Sequence, residues 1–203
     1  MKVAVVGASG RAGSRIVAEL SRRGHTVTAI ARNPEKIAKL PDVTAKQGDA
    51  DDLAALAALL AGHDAAITSI HFLASDPAKL IGAAKASKVG RYLVVGGAGS
   101  LEVAPGVRLV TTPAFPAQYK AEAEKGADFL DLLRQETGLN WTFLSPSALF
   151  IDGERTGKFR LGTDQLLTAA DGKSSISFED YAVAMVDEIE RPAHSRQRFT
   201  VGY

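Results

Sequence analysis

The sequence predicts a doubly wound α/β fold, a mostly parallel sheet with helices on both faces. It fills residues 1–203 as one domain with a small C-terminal elaboration from about residue 146, on the substrate side. Three observations predict it. Short runs rich in β-branched residues alternate with stretches of helical apolar spacing, which is the rhythm of repeated βαβ units. The first and fifth of these runs, Lys2 to Val6 and Arg91 to Val95, are continuously apolar toward their ends. Strands covered by helices on both faces have that character, whereas half-exposed strands alternate. Finally, a glycine-rich turn, Gly7-Ala-Ser-Gly-Arg-Ala-Gly13, joins the first strand to the first helix.

The elements follow in order. After the glycine turn, Ile16, Val17 and Leu20 lie at helical spacing, and Gly24 stops the helix. His25 to Ala31 is the second strand, so strand, turn, helix and strand occupy about 30 residues, one βαβ unit. Val43 to Gln47 is a third strand. Asp51 and Asp52 open a helix carrying Leu53, Leu56, Leu59 and Leu60, with acids where a helix N-terminus favours them. Asp64 to Thr68 is strand four, Pro77 to Lys88 a helix, and Arg91 to Val95 strand five. Prolines 105, 113 and 116 make 98–118 a long loop, with a short strand expected at Val107 to Thr111. A helix follows from about Lys120 to Gln135, then strand six at Trp141 to Leu144. Beyond the Ser145-Pro146-Ser147 break, glycines 153, 157 and 162 punctuate loops and short strands. Ser175 to Phe178 reads as extended, Glu179 and Asp180 start a helix through Ile189, and Arg198 to Val201 is a last strand. No linker, repeat or second domain interrupts this pattern.

Composition removes several classes of function. With 46% apolar residues the chain has the material for a core. It holds no uninterrupted apolar run of about 18 residues, the length a membrane helix needs. Glycines 7, 10 and 13 and Arg11 break the first apolar run too early for a signal peptide, so the expected compartment is the cytoplasm. The absence of cysteine excludes disulfides, thiolate chemistry and thiolate metal sites. Lys and Arg number 24 against 23 Asp and Glu, without a clustered basic run, so no nucleic-acid partner is expected. No grouping of residues has metal-ligand spacing, and Glu179-Asp180 reads as a helix start rather than a pair of catalytic acids.

The glycine turn carries the most chemistry. In a Gly-x-x-Gly-x-x-Gly arrangement the first glycine permits the tight turn and the middle one lets backbone approach a pyrophosphate. The third allows close helix packing, which together make the fingerprint of a Rossmann-type dinucleotide site. The unpaired N–H groups at the start of the helix, over Arg11, Ala12 and Gly13, suit phosphate, and the Ser9 hydroxyl is a further donor. The Gly-Lys-Ser/Thr ending of a nucleoside triphosphate loop is missing. At the end of strand two an NAD site places an acid for the ribose hydroxyls. Here the chain reads Ala31-Arg32-Asn33-Pro34-Glu35-Lys36, and Arg32 and Lys36 offer cations to a 2′-phosphate. The expected cofactor is therefore NADPH, with NADH as the alternative.

Ligands of open parallel sheets lie beyond the carboxyl ends of the strands. That rule places Asp49 and Ala50 on the adenine side, with helix capping as the alternative role for Asp49. It sets Thr68, Ser69 and Ile70 near the middle of the cofactor, and Gly96, Gly97 and Pro146 near the nicotinamide. Candidates for the reactive end are His71, Ser100, Tyr119, Lys120 and Ser147, each also open to a purely structural reading. His25, His63 and His194 are expected away from the site.

Gly7-Ala-Ser-Gly-Arg-Ala-Gly13, Ala31-Arg32-Asn33, Gly48-Asp49 and Leu144-Ser-Pro-Ser147 resemble the atypical short-chain dehydrogenase/reductase group. More narrowly they resemble its NmrA-like, flavin reductase and biliverdin reductase B-like members. Gly153-Glu-Arg-Thr-Gly-Lys158, Asp164-Gln-Leu-Leu167 and Ile176-Ser-Phe-Glu-Asp-Tyr-Ala182 resemble the NADH-flavin reductase branch. The resemblance implies Gly7, Ser9, Gly10, Arg11, Ala12 and Gly13 around the pyrophosphate, Arg32 and Lys36 at the 2′-phosphate, and Asp49-Ala50 at the adenine. It departs from the usual reductases at the Tyr-x-x-x-Lys pair: Ala123 stands four residues past Tyr119, and Gly96 four past Tyr92. A ring acceptor needs no such pair, because nicotinamide and ring can stack and pass hydride directly. The expected activity is an NAD(P)H-dependent reductase acting on a flavin, quinone or similar small-molecule ring, with flavin as a passing substrate. A non-catalytic NADP(H)-binding sensor and a reductase or epimerase of another small molecule are the alternatives. The sequence leaves monomer and homodimer equally open.

Overall fold

The structure, a computed structural model, describes residues 1–203. The N-terminal half runs β1 (Lys2–Val6), α1 (Arg11–Arg22), β2 (Thr26–Ala31), β3 (Val43–Gln47), α2 (Leu53–Leu60), β4 (Ala65–Thr68), α3 (Pro77–Ser87) and β5 (Arg91–Val95). A small hairpin, β6 (Glu102–Ala104) with β7 (Val107–Arg108), precedes the long helix α4 (Ala117–Gln135) and β8 (Trp141–Pro146). The C-terminal part adds β9 (Leu149–Ile151), β10 (Arg160–Gly162), β11 (Ser175–Ser177), α5 (Phe178–Glu190) and β12 (Gln197–Gly202).

Eight strands form the main sheet in the order β3-β2-β1-β4-β5-β8-β12-β10. Every neighbouring pair is parallel except β10 with β12, an antiparallel edge. The order turns back at β1, which pairs with β2 on one side and β4 on the other, Val5 facing both Ala29 and Ile67. This is the switch point at which a Rossmann-type sheet opens a crevice above its strand ends.

Side-chain alternation along β1 explains why both faces are covered. Val3 and Val5 join a core with Ile16, Leu20, Tyr181 and Met185 beneath α1 and α5. Ala4 and Val6 enter a second core with Leu56, Leu80, Leu130 and Phe143 beneath α2, α3 and α4. A strand buried on both sides must be apolar at every position, which is the pattern its sequence carries.

Several boundaries differ from the sequence expectation by a residue or two, and the larger differences have local reasons. The strand expected at 107–111 ends at Arg108, because Leu109–Thr111 tightens into a 3-10 turn whose Leu109 and Val110 N–H groups bond to Leu101 and Gly99. Helix α4 starts at Ala117, with Pro116 as its cap, so Tyr119 and Lys120 lie within its first turn. Strand β8 continues through Ser145 and Pro146; β5 has ended there, and only β12 pairs with them. A proline is tolerated at such a place because its missing N–H faces no partner. Strand β11 falls at the extended stretch expected from Ser175, ending one residue earlier where α5 begins, while β9 and β10 lie in the region read only as loops and short strands.

Candidate functional site

Three strand ends meet at the first glycine. Gly7 turns with φ 81°, and the N–H groups of Gly7 and Ala8 both donate to the Ile30 carbonyl at the end of β2, at 2.9 and 3.1 Å. A Cβ built on Gly7 would lie 2.0 Å from the Ser69 carbonyl just past β4. One on Gly13 would lie 2.2 Å from the Gly7 carbonyl, so α1 sits against the turn at a distance that only glycine permits.

Helix α1 then points its N-terminus at the crevice. Its ladder begins with the Ser14 N–H on the Gly10 carbonyl, and Gly10 brings no capping side chain. No acid stands in the first turn. The N–H groups of Arg11, Ala12 and Gly13 and the positive end of the helix dipole are therefore free of any side chain that would neutralise them. Aspartates cap α2 and α3 and a serine caps α5, whereas α1 and α4 open without a side-chain cap, and of these two α1 starts at the glycine turn.

Beside this turn lies a cleft of about 310 Å³. Gly7, Ser9 and Gly10 form its floor, Arg32 and Lys36 line it past β2, Asp49 and Ala50 past β3, and Ser69, Ile70 and His71 past β4. The Pro34–Lys36 3-10 turn brings Lys36 back to the wall that Arg32 occupies. Both cations are exposed, and neither has a carboxylate partner within 4.0 Å. Asp49 lines the cleft and its carboxylate accepts the Asp51 N–H at 3.0 Å in the turn before α2, while the cap of that helix is Asp52 rather than Asp49. The lining also includes Ile30, Ala31, Asn33, Gly48, Asp51 and Ala74. None of these was assigned to the site from sequence; Ala31, Asn33 and Gly48 stand in motifs at strand ends, Asp51 was read as a helix start, and Ala74 reaches the cleft from the 3-10 turn after β4.

His71 is 89% exposed at its side chain, with Nδ1 3.2 Å from Glu122 Oε1 on α4. Glu122 also accepts the N–H groups of Phe72 and Leu73 at 2.7 and 2.8 Å. Nothing in the sequence marked Glu122, since its link to His71 spans 51 positions.

The remaining candidates are placed elsewhere. Arg11 turns to Asp152 and lies 4.7 Å over the Phe178 ring, while Ala12 and Gly13 are buried under the helix start. Thr68 is buried, its hydroxyl 2.9 Å from that of Tyr92, a phenol whose pKa burial pushes far above the ordinary range. Gly96 packs on Phe143, Gly97 faces Phe72, and Pro146 is buried within β8. Ser147 is buried and donates to the Val201 carbonyl at 3.0 Å. Ser100 is buried too, and its hydroxyl accepts from Arg198 at 3.4 Å. Tyr119 is 61% exposed on α4 and Lys120 lies 4.0 Å from Glu124, both away from the cleft lining. The other histidines are bound away from the cleft: His25 to Glu190, His63 to Thr28 and His194 to Glu188.

A glycine turn, a bare helix end and a cleft over the switch point suit a dinucleotide, and comparison with known proteins agrees. The profile of a family described as NAD(P)H-binding matches residues 7–192. The chain belongs to this NAD(P)H-binding family. The uncharacterized protein YwnB of Bacillus subtilis (strain 168) is 42% identical over 209 residues, covering 99% of this chain and 98% of its own. A Bacteroides thetaiotaomicron structure provisionally named an epimerase superposes with TM-score 0.95 at 38% identity, covering 100% of this chain and 96% of the other. SP1627 of Streptococcus pneumoniae, provisionally named an NADH-flavin reductase, gives 0.83 at 40% identity, covering 100% and 99%. Family membership brings an oxidoreductase-type fold with capacity for NAD(P)H. No helix is long and apolar enough to cross a membrane.

Proposed function

We propose that the protein is an NADPH-dependent reductase that passes hydride to a flavin, a quinone or a similar conjugated ring. The observation that carries the reaction class is the state of the hydroxyls expected at the reactive end. Ser100 and Ser147 are buried and already hydrogen-bonded, and Tyr119 stands off the cleft without a lysine four residues on. An alcohol–ketone reductase of the Tyr-x-x-x-Lys type needs that tyrosine hydroxyl in contact with substrate oxygen. Stacked rings need position and the exclusion of water.

Bound in this cleft, the reduced nicotinamide supplies the hydride. The residues of the chain do the holding. The N–H groups over Arg11 to Gly13 and the Ser9 hydroxyl take the pyrophosphate, and Asp49 and Ala50 border the adenine. Arg32 and Lys36 take the 2′-phosphate; their lack of carboxylate partners means that binding breaks no existing ion pair. Gly96 and Gly97, past β5, let Phe143 and Phe72 pack close to the strand end and bound the acceptor side with backbone. The acceptor enters and leaves, since one cleft serves the whole reaction. The provisional naming of SP1627 and the resemblance to flavin reductase and biliverdin reductase B-like proteins favour this reading over the epimerase naming of the Bacteroides relative.

The test is oxidation of NADPH and NADH by the purified protein against FMN, FAD, riboflavin, quinones and biliverdin, with cofactor binding measured in parallel. The expected result is turnover with at least one ring acceptor and preference for NADPH. Tight NADPH binding without turnover on any acceptor would instead support an NADP(H)-binding sensor.

A further inference from the structure

We infer that His71 gives the proton that follows the hydride and that Glu122 positions it, which rests on the reductase reading and narrows its acceptors to neutral rings that become anions on reduction. The argument begins with position. Arg32 follows β2 and His71 follows β4, on opposite sides of β1, so the ends of those strands stand about 10 Å apart. With the 2′-phosphate on the Arg32 side, the β4 side lies toward the reacting half of the cofactor, and His71 stands beyond the residues at its middle. Of the side chains lining the cleft on that side, His71 alone can both give and take a proton without a hydroxyl or carboxylate of its own.

Geometry then fixes which nitrogen is mobile. A carboxylate only accepts hydrogen bonds, so the 3.2 Å contact with Glu122 requires the proton on Nδ1 of His71. The Glu122 carboxylate is itself held by the Phe72 and Leu73 N–H groups, so it cannot swing away to follow the ring. Phe72 is in turn fixed against Phe129 and Phe143. Nε2 is left as the exchangeable position on a largely exposed ring, with water available to reload it.

The step balances as follows. A C–H bond of the reduced nicotinamide breaks, and its hydrogen and electron pair form a new bond to an atom of the neutral acceptor. The nicotinamide is left oxidised and cationic, and one negative charge rests on a ring oxygen or nitrogen of the reduced acceptor. The Nε2–H bond of the His71 imidazolium breaks, its proton goes to that atom, and the neutral imidazole keeps its Nδ1 proton on Glu122. Water then returns a proton to Nε2. A cationic ring becomes neutral on accepting hydride and needs no such proton.

That difference is the test. The kcat for NADPH oxidation is measured for wild type, His71→Gln and Glu122→Gln with menadione, a neutral quinone, and with methylene blue, a cationic ring, after subtracting the uncatalysed rates. The expected loss for His71→Gln is about a hundredfold with menadione, as for removal of a general acid, and less than about threefold with the dye. Glu122→Gln keeps one of the two acceptor oxygens; it is expected to lose about tenfold with menadione only and, in the protein without nucleotide, to weaken the Nδ1–H tautomer of His71 read by nitrogen NMR. Equal losses on both acceptors, or none on either, would overturn the proposal, as would wild-type turnover with the dye alone; in each case hydride transfer itself stands. Failure of the wild type with both acceptors would bring down the reductase reading and this proposal together.

Discussion

Gly13 and Arg32 illustrate two kinds of residue at the site, one that makes room and one that makes contact. A methyl group at Gly13 meets backbone on the Gly7 turn at 2.2 Å, and backbone cannot rotate aside as a side chain can. Gly13→Ala is expected to lower the thermal midpoint and weaken NADPH binding together, read by melting with and without nucleotide. An unchanged midpoint would show that the turn relaxes freely. Arg32 instead lines the cleft with an exposed guanidinium that has no carboxylate partner within 4.0 Å. Arg32→Ala is expected to leave the midpoint unchanged and to weaken NADPH by about tenfold to a hundredfold, the worth of charge-assisted hydrogen bonds to phosphate. NADH, without that phosphate, is expected to change little; equal weakening of both would remove the 2′-phosphate assignment. Gly13 was legible from its spacing in the motif. Ser100 and Ser147 were not legible, because their fate is set by Arg198 and Val201, more than 50 positions away.

Among the helices, α1 and α2 begin in opposite ways. Asp52 caps α2 by accepting the Ala55 N–H at 3.0 Å, whereas α1 opens on Gly10 with no cap. Asp52→Ala is expected to cost about 1 kcal/mol in urea unfolding, the usual value of such a cap. The open end of α1 predicts that NADPH stabilises the folded protein in a concentration-dependent way. Elements with their own punctuation were read correctly from sequence: β1, β3 and β5 have the predicted limits, since each is bounded by charged or glycine residues, although β1 and β5 are buried and β3 is an exposed edge strand. Elements whose limits depend on partners were misplaced. The continuation of β8 through Pro146 is decided by β12, and β10 exists because Arg160 to Gly162 finds the edge of β12.

At the scale of the whole molecule, two cores on either face of one sheet hold the strand ends in register, and the bottom of the sheet is tied by buried charge. Glu188 at the end of α5 is 3% exposed, with Arg91 and His194 each 2.8 Å away. Burial would raise its pKa, but the bonds from His194, Ala193 and Arg91 outweigh burial and hold it below its ordinary 4.5. The unfolded chain therefore takes up this proton more readily than the folded one. The stabilisation is complete above about pH 4.5 and is lost as pH falls through the lower folded value. Glu188→Gln is expected to destabilise the protein at neutral pH by about 1–3 kcal/mol and to flatten the acid limb of stability. An acid limb identical to wild type would assign it to other carboxylates. This tie lies at the opposite end of the sheet from the cleft, so NADPH affinity at neutral pH is expected to be unaffected.

The central claim is direct transfer of hydride from NADPH to a ring held in the same cleft. Its most direct measurement is a single anaerobic turnover in which protein, NADPH and a ring acceptor are mixed in equal amounts and both chromophores are followed. The expected result is loss of reduced nicotinamide matched mole for mole by reduced acceptor, slower with NADH. Persistence of NADPH, bound but unoxidised with every ring tried, would contradict the account and leave a nucleotide-binding protein without this chemistry.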